Sequence, residues 1–217
     1  MSAAPPAKRL IFDLDGTLSD PTIGIWRSIN HALAAFDHPA VSEHTVAQYI
    51  GPPLDDTFRR LAPLETEDGI LGMVVKYRER YGEVGYAENV VYAGIPEALE
   101  HLAAHGVPMG VCTTKRADFA ERILALFDLR RHFDFVSGGD IGIDKEQQLT
   151  GLRERGAADH ASVMIGDRAI DVIAARAAGM RSVGVLWGHG SLRELRDAGA
   201  DRILSTPEEL KLLVDAP

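Results

Sequence analysis

Short apolar, β-branched runs recur along this chain at residues 9–14, 107–113, 133–137, 162–165, 182–186 and 202–204. Stretches with apolar residues three to four positions apart separate most of them. That alternation predicts parallel strands joined by crossover helices, an α/β doubly wound sheet. Several helix starts are legible. In Thr206-Pro207-Glu208-Glu209, Thr is the expected cap, Pro the first helical residue and Glu209 the far end of a capping box. Ser191 and Glu194 have the same spacing, and Ile95-Pro96-Glu97 opens a helix carrying Leu99 and Leu102.

Residues 19–88 break the alternation and contain no recognisable strand. Asp20-Pro21 is expected to cap a helix with Ile25, Ile29, Leu33 and Phe36 along one stripe. A second helix is expected from Leu54, after Gly51-Pro52-Pro53. A third carries Ile70, Leu71, Val74, Tyr77 and Tyr81. The expected organisation is therefore an α/β core from residues 1–18 and 89–217, interrupted by a helical insert at 19–88. Hinges are expected near Gly16–Ser19 and Glu83–Val91.

Four places carry candidate chemistry, each at or just past the C-terminal end of a predicted strand, the edge where open α/β sheets form sites. After Leu10-Ile11-Phe12 comes Asp13-Leu14-Asp15-Gly16-Thr17. Two acids two residues apart at a sheet mouth can act as nucleophile and proton shuttle; a strand followed by an Asp-Gly turn is the plainer alternative. Val111-Cys112-Thr113-Thr114-Lys115 ends a strand in hydroxyls before a helix, which suits a phosphate oxygen or simply a helix cap. Lys145 opens a further helix, as an anion neutraliser or a surface lysine. In Gly166-Asp167-Arg168-Ala169-Ile170-Asp171, two acids four apart share one side of a first helical turn. They suit a hard cation, or else N-capping and the helix dipole.

Charge narrows the partners. The net charge is −9 over 217 residues. The insert holds 11 acidic and 6 basic residues and the remainder 21 and 17, so neither part offers a basic face for nucleic acid. A single cysteine, Cys112, allows no intrachain disulfide and fits a reducing compartment. Residues 1–9 have no segment of signal-peptide length, and no run approaches the roughly 20 apolar residues of a membrane span. A cytoplasmic protein, free of membranes and nucleic acid, is the expectation.

Together these residues resemble the haloacid dehalogenase-like superfamily of phosphohydrolases. The match lies in Asp13-Leu14-Asp15-Gly16-Thr17, Thr113, Lys145 and Gly166-Asp167-Arg168-Ala169-Ile170-Asp171, and the insert looks like that superfamily's helical cap. The chain looks like its phosphoglycolate phosphatase branch, while Tyr49–Leu54 and Gly184–Ser191 look more like bacterial 5′-nucleotidase-like members. The resemblance implies Mg²⁺-dependent hydrolysis of a small phosphometabolite. Asp13 becomes a transient aspartyl-phosphate, and Asp15 protonates the leaving oxygen and then activates water. Thr113 and the Thr114 amide hold the phosphoryl oxygens, and Lys145 with the metal offsets the repulsion between carboxylate and phosphate. The resemblance gives the metal to Asp13, the backbone carbonyl of Asp15 and Asp167, with Asp171 acting directly or through water. Cap contacts to the leaving group are sought at Gly51, Arg59, Lys76 or Arg78. A monomer or homodimer is expected.

Three alternatives stand beside this expectation. A dehalogenase would have no use for Asp15, since a halide leaves unprotonated. A phosphomutase shares all four motifs. A catalytically silent binding module would be signalled by loss of Asp13 or Asp15, and both are present. A dinucleotide-binding domain is excluded because no G-x-G-x-x-G follows the first strand.

Overall fold

The computed structural model describes residues 9–214. Residues 1–8, which carry most of the stretch expected to lack a leader and part of the 1–18 core segment, lie outside the described residues, as do 215–217.

Six strands form one all-parallel sheet: β1 Leu10–Phe12, β4 Met109–Thr113, β5 Val136–Gly138, β6 Val163–Gly166, β7 Arg181–Val185 and β8 Arg202–Leu204. Their spatial order is β5-β4-β1-β6-β7-β8. All six overlap the runs expected from the sequence. β1 lies between β4 and β6, with Leu10 opposite Met109 on one side and Val163 on the other. The chain builds outward from β1 to β5, then returns to β1's other side, so the order reverses there.

The side-chain period of two divides each strand between two apolar layers. Leu10, Phe12, Val111 and Ile165 pack with α5 (Ile95–Ala104) and α6 (Ala117–Leu126). Ile11, Cys112 and Met164 face the other way, onto α7 (Lys145–Glu154) and α8 (Ala169–Ala177). Cys112 is therefore core, as expected, and burial pushes its thiol up to about 12. α9 (Leu192–Ala198) packs on α8 through Leu195 and Val172.

The insert forms α1 (Thr22–Ala34), α2 (Glu43–Val46), α3 (Leu54–Leu61) and α4 (Glu67–Glu83). Asp20 accepts the Thr22 amide at 2.9 Å, capping α1, and Thr66 accepts the Gly69 amide at 3.1 Å, capping α4. Three expectations need correction. Ser19–Asp20 form a short strand, β2, paired antiparallel with β3 (Val90–Val91), so the two connections to the insert run side by side. The Thr206 capping box does not form: residues 207–213 are a 3₁₀ helix, and Glu209 accepts the Ser205 amide instead. At Ser191 only half the box forms, because Glu194 is drawn to Arg168 and the Ala169 amide at the start of α8.

Candidate active site

Three strand ends converge where the strand order reverses. Asp13 follows β1, and its amide continues the ladder to the Ile165 carbonyl at 2.8 Å. Its Oδ1 takes the Leu14 amide at 2.8 Å, fixing the carboxylate at the sheet edge. Gly16 then turns the chain with φ +81°, and a Cβ there would stand 2.3 Å from an Asp167 carboxylate oxygen. Thr113 closes β4, and its hydroxyl accepts the Lys115 amide at 3.2 Å. Lys145 is the first residue of α7 and is fully buried. Asp167 follows β6. Its carboxylate takes the His189 amide at 2.7 Å rather than capping α8; Asp171 does that by accepting the Arg168 amide at 3.0 Å.

Asp13, Asp167 and Asp171 each offer a carboxylate oxygen within 4.8 Å of the others, and all three are buried. The Lys145 ammonium lies 2.9 Å from Asp13 Oδ2 and donates to Asp171 Oδ1. Burial opposes the charge on Lys145, but the two carboxylates win and hold it above the ordinary lysine range. Asp167 goes the other way. Burial first, then repulsion from Asp171 and Asp13, pushes it up to about 8. Burial also raises Asp171, against the pull of Lys145. Three buried carboxylates against one ammonium leave two negative charges uncompensated. An oxygen-only donor set with that deficit fits a hard divalent cation.

The Asp15 carboxylate stands outside this cluster. Its Oδ2 lies 2.8 Å from the Lys115 ammonium, and its Oδ1 is buried with no partner. Lys115 also donates to the Tyr81 hydroxyl of α4 at 2.7 Å, which takes a second bond from Asn89. Burial raises Asp15 above the ordinary aspartate range, with Lys115 partly offsetting it. Asp15 is thus held more protonated than a surface aspartate, beside a lysine tied to the insert.

Asp15, Thr114 and Lys115 line a chamber between the insert and the sheet edge, about 720 Å³ including its mouth. Gly51 lines it from the insert. The turn at Ile50-Gly51 is gripped from the core at two points: the Thr114 hydroxyl donates to the Gly51 carbonyl at 2.8 Å, and Arg168 to the Ile50 carbonyl at 2.5 Å. Two expected contacts are corrected. Arg59 does not line the chamber; Asp55, Asp56 and Glu67 hold its guanidinium. Lys76 pairs with Glu79 at 2.8 Å on the surface. Arg78 does line the chamber, paired with Asp140 at 2.6 Å.

The loop after β7 lies in the stretch Gly184–Ser191 that resembles 5′-nucleotidase-like members, but the sequence gives none of its residues a role at the site. The Trp187 indole donates to the Thr17 carbonyl at 2.9 Å, and the His189 amide braces Asp167. A Cβ on Gly188 would fall 2.1 Å from the Gly16 carbonyl oxygen. The glycines flanking His189 were the available signal, since glycine marks close backbone approach. Tyr81 was assigned only to a helix face, and its bond to Lys115 has no local signature.

A family model described as haloacid dehalogenase-like hydrolase matches residues 10–185, and the chain belongs to that family. It is 38% identical over 193 residues to a 5′-nucleotidase of Pseudomonas aeruginosa, covering 86% of each. It is 35% identical over 191 residues to the tyrosine-protein kinase PtkA of Mycobacterium tuberculosis, covering 83% of this chain and 62% of that one. To a phosphoglycolate phosphatase of Pectobacterium atrosepticum it is 33% identical over 198 residues, covering 87% and 84%. The crystal structure of a predicted phosphatase from Clostridium acetobutylicum superposes with a TM-score of 0.90 at 32% identity, covering 96% and 98%. Among the described residues, no helix is long and apolar enough to cross a membrane.

Proposed function

We propose that this protein is a Mg²⁺-dependent phosphomonoesterase acting on a small phosphometabolite, a 5′-nucleotide or phosphoglycolate, through an aspartyl-phosphate on Asp13. The observation that carries this reading is the buried Asp13–Asp167–Asp171 cluster, with Lys145 paired to Asp13 and Asp171, beside a chamber lined by Asp15. The relatives named 5′-nucleotidase and phosphoglycolate phosphatase support the substrate class.

Asp13, Asp167 and Asp171 would hold the metal. When bound, Mg²⁺ supplies positive charge that offsets carboxylate–phosphate repulsion and stabilises the transferring phosphoryl group. The remaining steps belong to the chain's own groups. Asp13, oriented by the Leu14 amide and Lys145, attacks phosphorus through a carboxylate oxygen, and the bond to the leaving oxygen breaks. Asp15 gives that oxygen its proton, which burial favours keeping on the carboxyl until it is needed. Asp15, now ionised and paired with Lys115, takes a proton from water, which attacks phosphorus and releases phosphate from Asp13. Thr113 and the Thr114 amide are proposed to hold phosphoryl oxygens. We also assign residues 19–88 as a cap domain moving on the Gly16–Ser19 and Glu83–Val91 connections, closing over the site to exclude water.

The test is phosphate release from a panel of phosphorylated metabolites, with Mg²⁺ and after EDTA and metal-free dialysis. Turnover with Mg²⁺ that is lost on its removal is expected. Undiminished activity without metal would overturn the reading.

A further inference from the structure

Besides Asp15, the chamber is lined by two aspartates that the proposed chemistry does not use, Asp140, which is committed to Arg78, and Asp55. Asp55 lies in the first turn of α3, lines the chamber and is only 6% exposed. Its Oδ2 accepts Arg59 at 2.7 Å, while its Oδ1 is buried with no partner. An acid in a first helical turn is favoured by the dipole alone. Asp56, its half-exposed neighbour, meets that need without burial. A buried acceptor left unpaired is costly, and a ligand's donor would relieve it.

The rest of the chamber points to the same kind of ligand. Three cations line it, and each already has a carboxylate: Lys115 with Asp15 at 2.8 Å, Arg78 with Asp140 at 2.6 Å, and Arg116 with Asp118 at 2.5 Å. A leaving group carrying its own carboxylate would face Asp55 with no uncommitted cation to receive it. Tyr49, Ile25, Ile29, Tyr77 and Phe119 supply apolar and aromatic wall, which suits a planar ring.

We infer that Asp55 is a specificity-determining residue, accepting a hydroxyl or amino donor of an uncharged, ring-bearing leaving group, the chemistry of a nucleoside, and disfavouring a leaving group that carries a carboxylate. This rests on the phosphomonoesterase reading and selects between its two substrates. The chamber is built to attract donors and apolar faces, and it repels a second anion.

The experiment compares kcat/KM for AMP, phosphoglycolate and p-nitrophenyl phosphate, with calorimetric binding of AMP to metal-free protein as a second readout. The variants are Asp55→Ala, Asp55→Asn and, as a control for the broken ion pair, Arg59→Ala. Wild type should prefer AMP to phosphoglycolate. Asp55→Ala should lower that preference by about tenfold to a hundredfold, the range of a hydrogen bond to a charged acceptor. Asp55→Asn, which keeps the shape, should shift it the same way should the alanine variant fold poorly. Hydrolysis of p-nitrophenyl phosphate and the preference of Arg59→Ala should stay within about threefold of wild type. Preference for phosphoglycolate in wild type, or an unchanged ratio in both Asp55 variants, overturns the inference. Asp55-dependent AMP binding without turnover would sink the hydrolase reading and leave this one standing; turnover independent of Asp55 does the reverse.

Discussion

Lys145 sits fully buried between Asp13 and Asp171, so its loss leaves the acid cluster with no internal cation. Removing one partner of such a group typically costs about 3–5 kcal/mol. Lys145→Met should therefore lower the melting temperature of EDTA-treated protein, with Mg²⁺ restoring part of the loss; an unchanged melting temperature would refute the buried arrangement. The two N-terminal acids separate by role. Asp13→Asn should abolish turnover, with kcat falling by more than about 10³-fold, since no other group is placed to carry the phosphoryl. Asp15→Asn should cost about 10²–10⁴-fold on an alkyl phosphate and much less on p-nitrophenyl phosphate, whose leaving group needs no proton. Equal losses on the two substrates would remove Asp15 from the general-acid role. The placement of Asp13, Thr113 and Asp167 at strand ends, and of Asp171 in the helical turn that follows β6, was legible because there position in sequence dictates position in space. Lys115 acquires its partners Asp15 and Tyr81 only on folding, as Asp55 acquires its place in the chamber wall. Arg59 and Lys76 were misplaced despite a local signal: Asp55 stands four residues before Arg59, and Glu79 three after Lys76, spacings that pair charges along a helix.

At the scale of elements, the insert's turn at Ile50-Gly51 is tied directly to the core. The Thr114 hydroxyl and the Arg168 guanidinium hold its two carbonyls. A neutral hydrogen bond of this kind contributes a net of about 0.5–1.5 kcal/mol. Thr114→Val should therefore speed amide hydrogen exchange around residues 47–54 by roughly 2–10-fold while leaving β1 and β4 unchanged. Exchange unchanged in the turn would mean that the Thr114 contact does not restrain the insert. β1, β4 and β6 could be seen in advance because each is a buried apolar run, and β7, β5 and β8 because each overlaps a short apolar, β-branched stretch although the edge strands β5 and β8 are only partly buried. β2 and β3 could not, since two-residue strands have no period and each exists only through pairing with the other, about 70 positions away. α2, at four residues, is likewise too short to show one. The Thr206 box had the right letters and failed because side chains competed: Glu209 found the Ser205 amide, one residue too early.

For the molecule as a whole, the acid cluster couples stability to pH and metal. Asp167 is pushed up to about 8, with Asp171 and Asp15 also raised, whereas in the unfolded chain each titrates near its ordinary value of about 4. Between those values the folded state binds more protons than the unfolded one, so stability falls as pH rises. The contribution is fully present below about pH 4 and is lost as pH climbs through about 8. His132 and His189, which burial holds below the ordinary histidine range, act in the opposite sense, but only below about pH 7. From pH 7 to 8.5 the carboxylate effect should therefore dominate. A group titrating near 8 loses about 1 kcal/mol over that span, which for a chain of this size is a fall of about 2–4 °C in melting temperature. Metal reverses the sign of the problem. A divalent ion compensates the two unbalanced charges but competes with the protons, so its affinity should rise with pH up to about 8 and then level off. Melting curves with EDTA and with saturating Mg²⁺, at half-unit steps from pH 7 to 8.5, test both parts. Stability should decline in EDTA, and the increment added by Mg²⁺ should widen with pH. Parallel, flat curves would mean that Asp167 is already ionised across this range in the metal-free fold, so that no proton on it stabilises that fold or competes with the cation.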